Sequence, residues 1–508
     1  MTGNRTYTDA INSLNSLQSN FADLQAVRDT GKSQKNLMNI WEMQEWSRRI
    51  GYDSIPKYYD GLNVLHITGT KGKGSTGAFC QSILEQYAKN ETMPLKIGMY
   101  TSPHLKSVRE RIRINGNPIS EELFTKYFFQ VWDRMDATSS DESKFPHMTL
   151  GKKPGYFKFL TVLSFHVFVQ EKCNTCIYEV GIGGEYDSTN VIENPTTCGV
   201  SLLGIDHVFV LGDTIEKIAW NKSGIFKKNA PAFTISGQPT QGLQVLKERA
   251  VERETTLTVV PNFSQLKNVQ LGIHGDFQIT NASLAAGMCA AHLNKIGHPE
   301  APKLPASTAW DNFTLPEKFV QGLVHCKWEG RCQTVQSPQH ANLRWYLDGA
   351  HTKDSIEACS SWFAQVITAK ANAEKDYKVL LFNQQTRDAS ALINVLHNVI
   401  TIQNKIKFDK IIFSTNVTWG SGKYDADLVS MNVSKQSVDA LEVQKNLKES
   451  WEKLESNADI EIFHSIEDAY KTVSNIAAGF QNQNRAVDVL CTGSLHLVGG
   501  LMVVFDGH

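Results

Sequence analysis

Residues 64–76, VLHITGTKGKGST, join an apolar strand to a turn of three glycines, two lysines and a closing pair of hydroxyls. A strand that ends in glycines and gives way to a helix aims several backbone N–H groups at one spot. That spot is the positive end of the helix dipole, so such a turn is an anion cradle. The helix is expected because TGAFCQSILEQY places Phe79, Ile83 and Tyr87 four residues apart. In a phosphate cradle of this kind Gly72, Lys73, Gly74 and Ser75 lie at the nucleotide. Lys73 reaches the β- and γ-phosphates, and a hydroxyl of Ser75 or Thr76 approaches magnesium. The spacing departs from the usual pattern: the expected first glycine falls on Ile67, and Gly74 follows the lysine in place of Ser or Thr. The alternative is a flexible glycine turn with solvated lysines. A strand before and a helix after favour the cradle.

Other residues stand where chemistry is usually done. Glu179 comes at the C-terminal end of the apolar run CIYEVGIGG, the end at which α/β sheets hold ligands, and packing gives little reason for a carboxylate there. His207 closes VSLLGIDH; read alone such a histidine is more often a cap or a core residue than a ligand. Asn281 opens a small-residue helix, where a plain N-cap is one role open to it. The segment 106–113, KSVRERIR, either steers a polyanion or forms a solvated strand edge.

These residues need elements to position them. The 508 residues are too many for one core, and 41% apolar with 20% charged residues is ordinary soluble composition. Short apolar runs (NVLHITGT, KIGMYTSP, CIYEVGIGG, CGVSLLGIDH) alternate with helical segments, the pattern of a parallel sheet covered on both faces. Four prolines in 296–317 mark a domain boundary, after which the rhythm resumes in LRWYLDGAH, YKVLLFNQQ, KIIFSTNV, IEIFHSIEDA and VDVLCTG. The expectation is an α/β protein of two domains, 1–305 and 306–508. The polar stretch 416–441 reads as a surface loop and helix.

With 51 Lys plus Arg against 52 Asp plus Glu, net charge near −1 gives no reason to expect nucleic acid or an acidic membrane as partner. No run approaches 18 apolar residues, so no membrane span is expected. Nine cysteines do not make a disulfide framework; the CNTC pair, Cys173 and Cys176, leads straight into an apolar strand, and buried reduced thiols are expected. The first twenty residues read as neither a signal peptide nor an Arg-rich transit sequence. The cytoplasm is the expected compartment, with a mitochondrial form left open.

The shortened loop GTKGKGST resembles that of the Mur ligase superfamily and, within it, of the folylpolyglutamate synthases. YTSPHL (100–105), YEVGIGGEYDSTNVI (178–192), GIDHVFVLGDTIEKIAWNKSGIFK (204–227), WEGRCQ (328–333), YLDGAHTKDS (346–355) and TGSLHLVGG (492–500) follow in the family's order. Together they span roughly residues 60–500. Lys71 in the loop and Thr352 after DGAH favour the eukaryotic type over dihydrofolate synthase, the nearest rival, which adds the first glutamate to dihydropteroate. TSPHL and TGSLHLVGG argue against a cell-wall Mur ligase.

The resemblance implies an N-terminal P-loop ATPase domain with a parallel-type sheet, then a C-terminal Rossmann-like glutamate-ligase domain. It implies a ligase that uses ATP and Mg2+ to activate a carboxylate of a reduced folate as an acyl phosphate, which L-glutamate then captures. Tetrahydrofolate and its polyglutamates are the implied substrates, and a monomer is expected. By the same resemblance Ser102 and Glu179 share one magnesium and His207 ligates a second. Lys222 matches a lysine that is carbamylated in related ligases; an ordinary salt-bridged lysine is the alternative. Asn281 matches a position contacting adenine. Arg331 faces phosphate, Asp348 the nucleotide, and His351 lines the same site. A nucleotide-dependent binding module without turnover is the rival from another class.

Overall fold

The computed structural model describes residues 5–18, 38–306, 309–370, 374–385, 388–421, 427, 440–483 and 485–507. Of the polar stretch 416–441, residues 422–426 and 428–439 lie outside these.

The first sheet has eight strands: β1 (Val64–Thr68), β2 (Ile97–Tyr100), β3 (Ile112–Ile114), β4 (Asn117–Pro118), β5 (Thr175–Glu179), β6 (Thr197–Val200), β7 (Ala232–Ile235) and β8 (Leu257–Val260). Their order is β4-β3-β2-β5-β1-β6-β7-β8. All neighbours are parallel except β2 with β3 and β3 with β4, which are antiparallel. Strands β1, β2, β5, β6 and β7 are buried at every residue, which explains their near-continuous apolar sequences. The helices Lys73–Glu85 and Gln278–Lys295 pack on one another and on the central strands.

The connection from β1 leads toward β2, while that from β6 leads the other way to β7. Strands β1 and β6 therefore flank the point where strand order reverses, the place where open α/β sheets form a crevice beyond the strand ends. The glycine loop follows β1 at that point.

The second sheet comprises β9 (Gln333–Gln336), β10 (Leu343–Leu347), β11 (Tyr377–Phe382), β12 (Lys410–Ser414), β13 (Ile460–Phe463) and β14 (Val487–Thr492). Its order is β13-β12-β11-β14-β10-β9, parallel except for β9 against β10. Apolar clusters cover both faces; one is centred on Trp451 and Phe363, the other on Trp345 and Leu501.

The chain separates into two compact units, one of Met1–His104, Val108–Gly272 and Gln278–Lys327, the other of Leu105–Ser107, Ile273–Phe277 and Trp328–His508. The main change of unit thus falls at Lys327/Trp328, beyond the 305/306 boundary that the prolines suggest. The reason is the helix Glu317–His325, which packs against Lys73–Glu85. Gly322 allows the approach: its carbonyl accepts the Ser82 hydroxyl at 2.6 Å, and a Cβ there would press on the Ile83 backbone. All nine cysteines are buried and none is in a disulfide. Among the described residues no helix is long and apolar enough to cross a membrane.

Candidate active site

The loop after β1 is held by the segment after β6. Ser201 N donates to the Thr68 carbonyl at 2.9 Å, and Ser201 Oγ donates to the Lys71 carbonyl at 2.6 Å. The N–H groups of Thr70 and Lys71 both donate to the Leu202 carbonyl, at 2.9 and 3.1 Å. Thr68 Oγ1 donates to the Gly183 carbonyl at 2.5 Å, tying in the loop that follows β5. Gly72 has φ +83 and ends the turn, and the helix begins at Lys73. Thr76 N makes the first intrahelical bond, to the Gly72 carbonyl. The N–H groups of Lys73, Gly74 and Ser75 precede it and have no carbonyl within the helix to bond, which leaves them facing the cradle.

Two lysines converge on the loop. Lys73 Nζ donates to the Gly69 carbonyl at 3.2 Å, and Lys222 Nζ donates to the same oxygen at 2.8 Å. Lys222 ends the helix Ile215–Lys222 and is buried. Burial, and then the Lys73 charge, hold its amine well below the ordinary lysine range.

On the other side Gln278 and Asn281 face the loop from the first turn of Gln278–Lys295. Gln278 Nε2 donates to Ser75 Oγ at 3.4 Å, and Asn281 Nδ2 donates to Gln278 Oε1 at 2.9 Å. Asn281 Oδ1 is the atom that a Cβ on Gly72 would strike. Asn281 is therefore not an N-cap: the helix starts three residues earlier, and its amide packs on the phosphate turn.

Glu179 ends β5 beside Ile67 of β1 and is buried. Its Oε2 accepts the Ser102 backbone N–H at 3.1 Å, which ties Glu179 to the turn that carries the Ser102 hydroxyl. Carboxylate and hydroxyl oxygens are the donors magnesium prefers, so this pair fits that ion. His207 does not sit at a strand end. β6 stops at Val200, and His207 has a left-handed backbone, φ +50, just before the short helix Val208–Leu211. Its ring is partly exposed and lies 3.9 Å from Asp206. Among the described residues no three His, Cys, Asp or Glu side chains cluster as a metal site would have them.

Asp187 stabilises the turn beyond Glu179. Its Oδ2 accepts the N–H groups of Gly181 and Ile182 at 3.2 and 3.1 Å, and its Oδ1 accepts Thr189 N at 2.9 Å and Thr189 Oγ1 at 2.6 Å. Asn221, next to Lys222, holds the same turn from beneath: its Oδ1 accepts Gly184 N at 3.1 Å and its carbonyl accepts Glu185 N at 2.7 Å.

In the second unit Asp348 follows β10 and is buried. Its Oδ2 accepts Cys332 N at 2.8 Å and its Oδ1 accepts Ala350 N at 2.9 Å. Burial pushes its carboxyl up, against the pull of the Arg331 charge. Arg331 NH1 donates to the Gly330 carbonyl at 3.0 Å and would lie 2.8 Å from a Cβ on Gly349. His351 Nδ1 is 3.1 Å from the Gly349 carbonyl, and Thr352 caps the helix Lys353–Thr368 through a capping box with Ser355. Arg331, Asp348 and His351 thus form one knot of two turns.

The arginines of 106–113 bond close to home. Arg109 donates to the Ile119 carbonyl at 3.0 Å, Arg111 to His104 Nδ1 at 2.9 Å and Arg113 to the Gly116 carbonyl at 3.2 Å.

Sequence reasoning did not find Ser201, Asn221 or Gln278. A hydroxyl directly after β6 and an amide one helical turn before Asn281 were the available signals.

A glycine–lysine loop at the reversal point of a mostly parallel sheet has the place and the donors of a phosphate-binding site, and a second α/β unit follows it in the chain. Residues 331–504 match the family model described as dihydrofolate synthetase, C-terminal domain. Over 503 residues the chain is 57% identical to the folylpolyglutamate synthase of Saccharomyces cerevisiae (strain FostersO), covering 99% of this chain and 87% of the relative. Mycobacterium tuberculosis folylpolyglutamate synthase complexed with ADP has the same fold, with TM-score 0.63, 20% identity, and coverage of 90% of this chain and 94% of that one. So does an FPGS–AMPPCP–folate complex, with TM-score 0.64, 18% identity, and coverage of 98% and 100%. The chain belongs to the folylpolyglutamate synthase family.

Proposed function

We propose that this chain is an ATP-dependent ligase that joins L-glutamate to the γ-carboxylate of reduced folates, tetrahydrofolate and its polyglutamates. The observation that carries the reading is the likeness to the yeast synthase along the whole chain. The γ-carboxylate attacks the γ-phosphorus of ATP, giving an acyl phosphate and ADP. The glutamate amine then attacks the acyl carbon, and phosphate leaves as the amide forms. Two anions must meet in the first step, so the protein's task is positioning and charge neutralisation.

The loop N–H groups and Lys73 would hold the triphosphate, with Asn281 toward adenine. Magnesium, held by Ser102 and Glu179 with His207 at a second position, would neutralise charge between the β- and γ-oxygens. From the second unit, Arg331 would face phosphate and Asp348 and His351 would shape the nucleotide-facing turn. Lys222 is suited to carbamylation. Burial holds its amine well below the ordinary lysine range, which favours the neutral form that adds CO2, and a carbamate there would set an anion beside Lys73.

The deciding experiment is glutamate-dependent ATP hydrolysis with tetrahydrofolate and, in parallel, with dihydropteroate. Turnover with tetrahydrofolate alone is expected. Turnover with dihydropteroate alone would make this a dihydrofolate synthase, the activity named by the family model matching residues 331–504. Silence with both would leave a nucleotide-binding module.

A further inference from the structure

We infer that Gln278 is a positioning residue of the phosphate loop, orienting Ser75 and Asn281 through the two ends of its side-chain amide. The inference rests on the loop being the ATP site. Gln278 is 1% exposed, at the first position of its helix. A buried amide is costly unless both ends are bonded, and a leucine or methionine would fill the space without that demand. Both ends are bonded, and both partners belong to the loop's surroundings.

The donor end fixes a proton. Gln278 Nε2–H points to Ser75 Oγ, which as acceptor must aim its own O–H elsewhere. Ser75 is in the first turn of Lys73–Glu85, where the free N–H groups also face, so its hydroxyl proton is left for a phosphate oxygen. The acceptor end fixes an amide. Gln278 Oε1 takes Asn281 Nδ2–H, which turns Asn281 Oδ1 toward Gly72, the residue whose positive φ closes the turn. One side chain thereby sets the rotamer of a hydroxyl in the cradle and the face of the amide packed against it. It touches no reacting atom and acts through these two.

A double-mutant cycle on the full chain tests this, with the dissociation constant of a fluorescent ATP analogue as readout. Gln278→Leu should weaken nucleotide binding about tenfold in the otherwise native chain. In a Ser75→Ala background the same change should weaken it less than about threefold, because the hydroxyl it orients is gone. A purely structural role predicts equal losses in both backgrounds, and that result, or no loss at all, overturns the inference. Should the leucine variant fail to fold by circular dichroism, Gln278→Met, unbranched and uncharged, takes its place with the same expected pattern. If the native chain binds no ATP analogue, the ATP-site reading fails first and this inference falls with it. A native chain that binds, with additive losses, sinks the inference alone.

Discussion

Lys73 and Lys222 share one acceptor, the carbonyl oxygen of Gly69, at 3.2 and 2.8 Å. Two amines on one oxygen repel if both are charged, and burial together with the Lys73 charge holds the Lys222 amine well below the ordinary lysine range. In the unfolded chain it keeps that proton up to about pH 10.5. The unfolded state therefore binds more protons than the folded one between the depressed folded pKa and 10.5, and stability from this group rises with pH across that window. Replacing Lys222 with methionine removes the dependence. In CO2-free buffer the stability of Lys222→Met minus that of the native chain should fall as pH rises toward 10.5, by at most about 1.4 kcal/mol per unit. Thermal melts across that range check it, and a difference that is flat or grows would show an ordinary charged lysine.

Gly69 carries a second constraint. Its φ is +149, and a Cβ there would overlap Ser201 Oγ. Gly69→Ala should cost about 2 kcal/mol of stability and raise the KM for ATP at least tenfold. Adding Ser201→Ala removes the nearest atom and leaves the serine Cβ at 3.0 Å, so part of the stability should return. Urea midpoints of the two single variants and the double variant measure the recovery. No recovery would mean that backbone strain, not the Ser201 contact, sets the cost.

How far the sequence could be read follows from how local each signal is. The strands β1, β5 and β14 are buried at every residue, so their apolar runs announced them. The loop announced itself through glycines whose conformations other residues resist. The place of Glu179 was legible because the apolar run before it marks a buried strand that it closes. The supports were not legible. Ser201, Asn221 and Gln278 act through bonds to residues 130, 37 and 203 positions away, and no local pattern encodes such a pairing. The strand-end placement of His207 misled because VSLLGID reads as one apolar run, whereas the chain leaves the sheet at Val200 to bond the glycine loop through the Leu202 carbonyl. The domain boundary misled for a related reason. Prolines mark where a chain turns, while the unit ends where packing ends, after the helix Glu317–His325.

Glu179→Gln separates metal binding from fold. Glutamine keeps a side-chain oxygen for the Ser102 N–H and loses the negative charge. The melting temperature should stay within about 2 °C of the native value, since the oxygen that accepts the Ser102 N–H is kept. Glutamate-dependent ATP hydrolysis should fall at least a hundredfold, about 3 kcal/mol or more of transition-state stabilisation. Native-like turnover with magnesium would remove Glu179 from the metal site.

Three histidines are held neutral inside the first unit, and they set the acid limb of its stability. His66 in β1 meets Thr189 Oγ1 at 2.8 Å, and that hydroxyl donates its proton to Asp187, so the ring must donate from Nε2. His292 meets Thr196 Oγ1 at 2.8 Å under the same logic, because Thr196 donates to the Val64 carbonyl. His166 takes the Tyr52 hydroxyl at 2.7 Å and bonds Gln130 Oε1 at 2.8 Å. Burial lowers their pKa values to about 3, about 3 and about 4, from 6.5. The unfolded chain takes up these protons first as pH drops below 6.5, so stability is complete above that value and is lost progressively toward the folded pKa values. At pH 5 the loss is about 2 kcal/mol for each ring. Proton uptake on unfolding at pH 5, measured from the pH dependence of the urea midpoint, should fall by about one in His292→Gln relative to the native chain. An unchanged uptake would mean that His292 is already protonated in the fold, and the Thr196 contact would then have to be built on a charged ring.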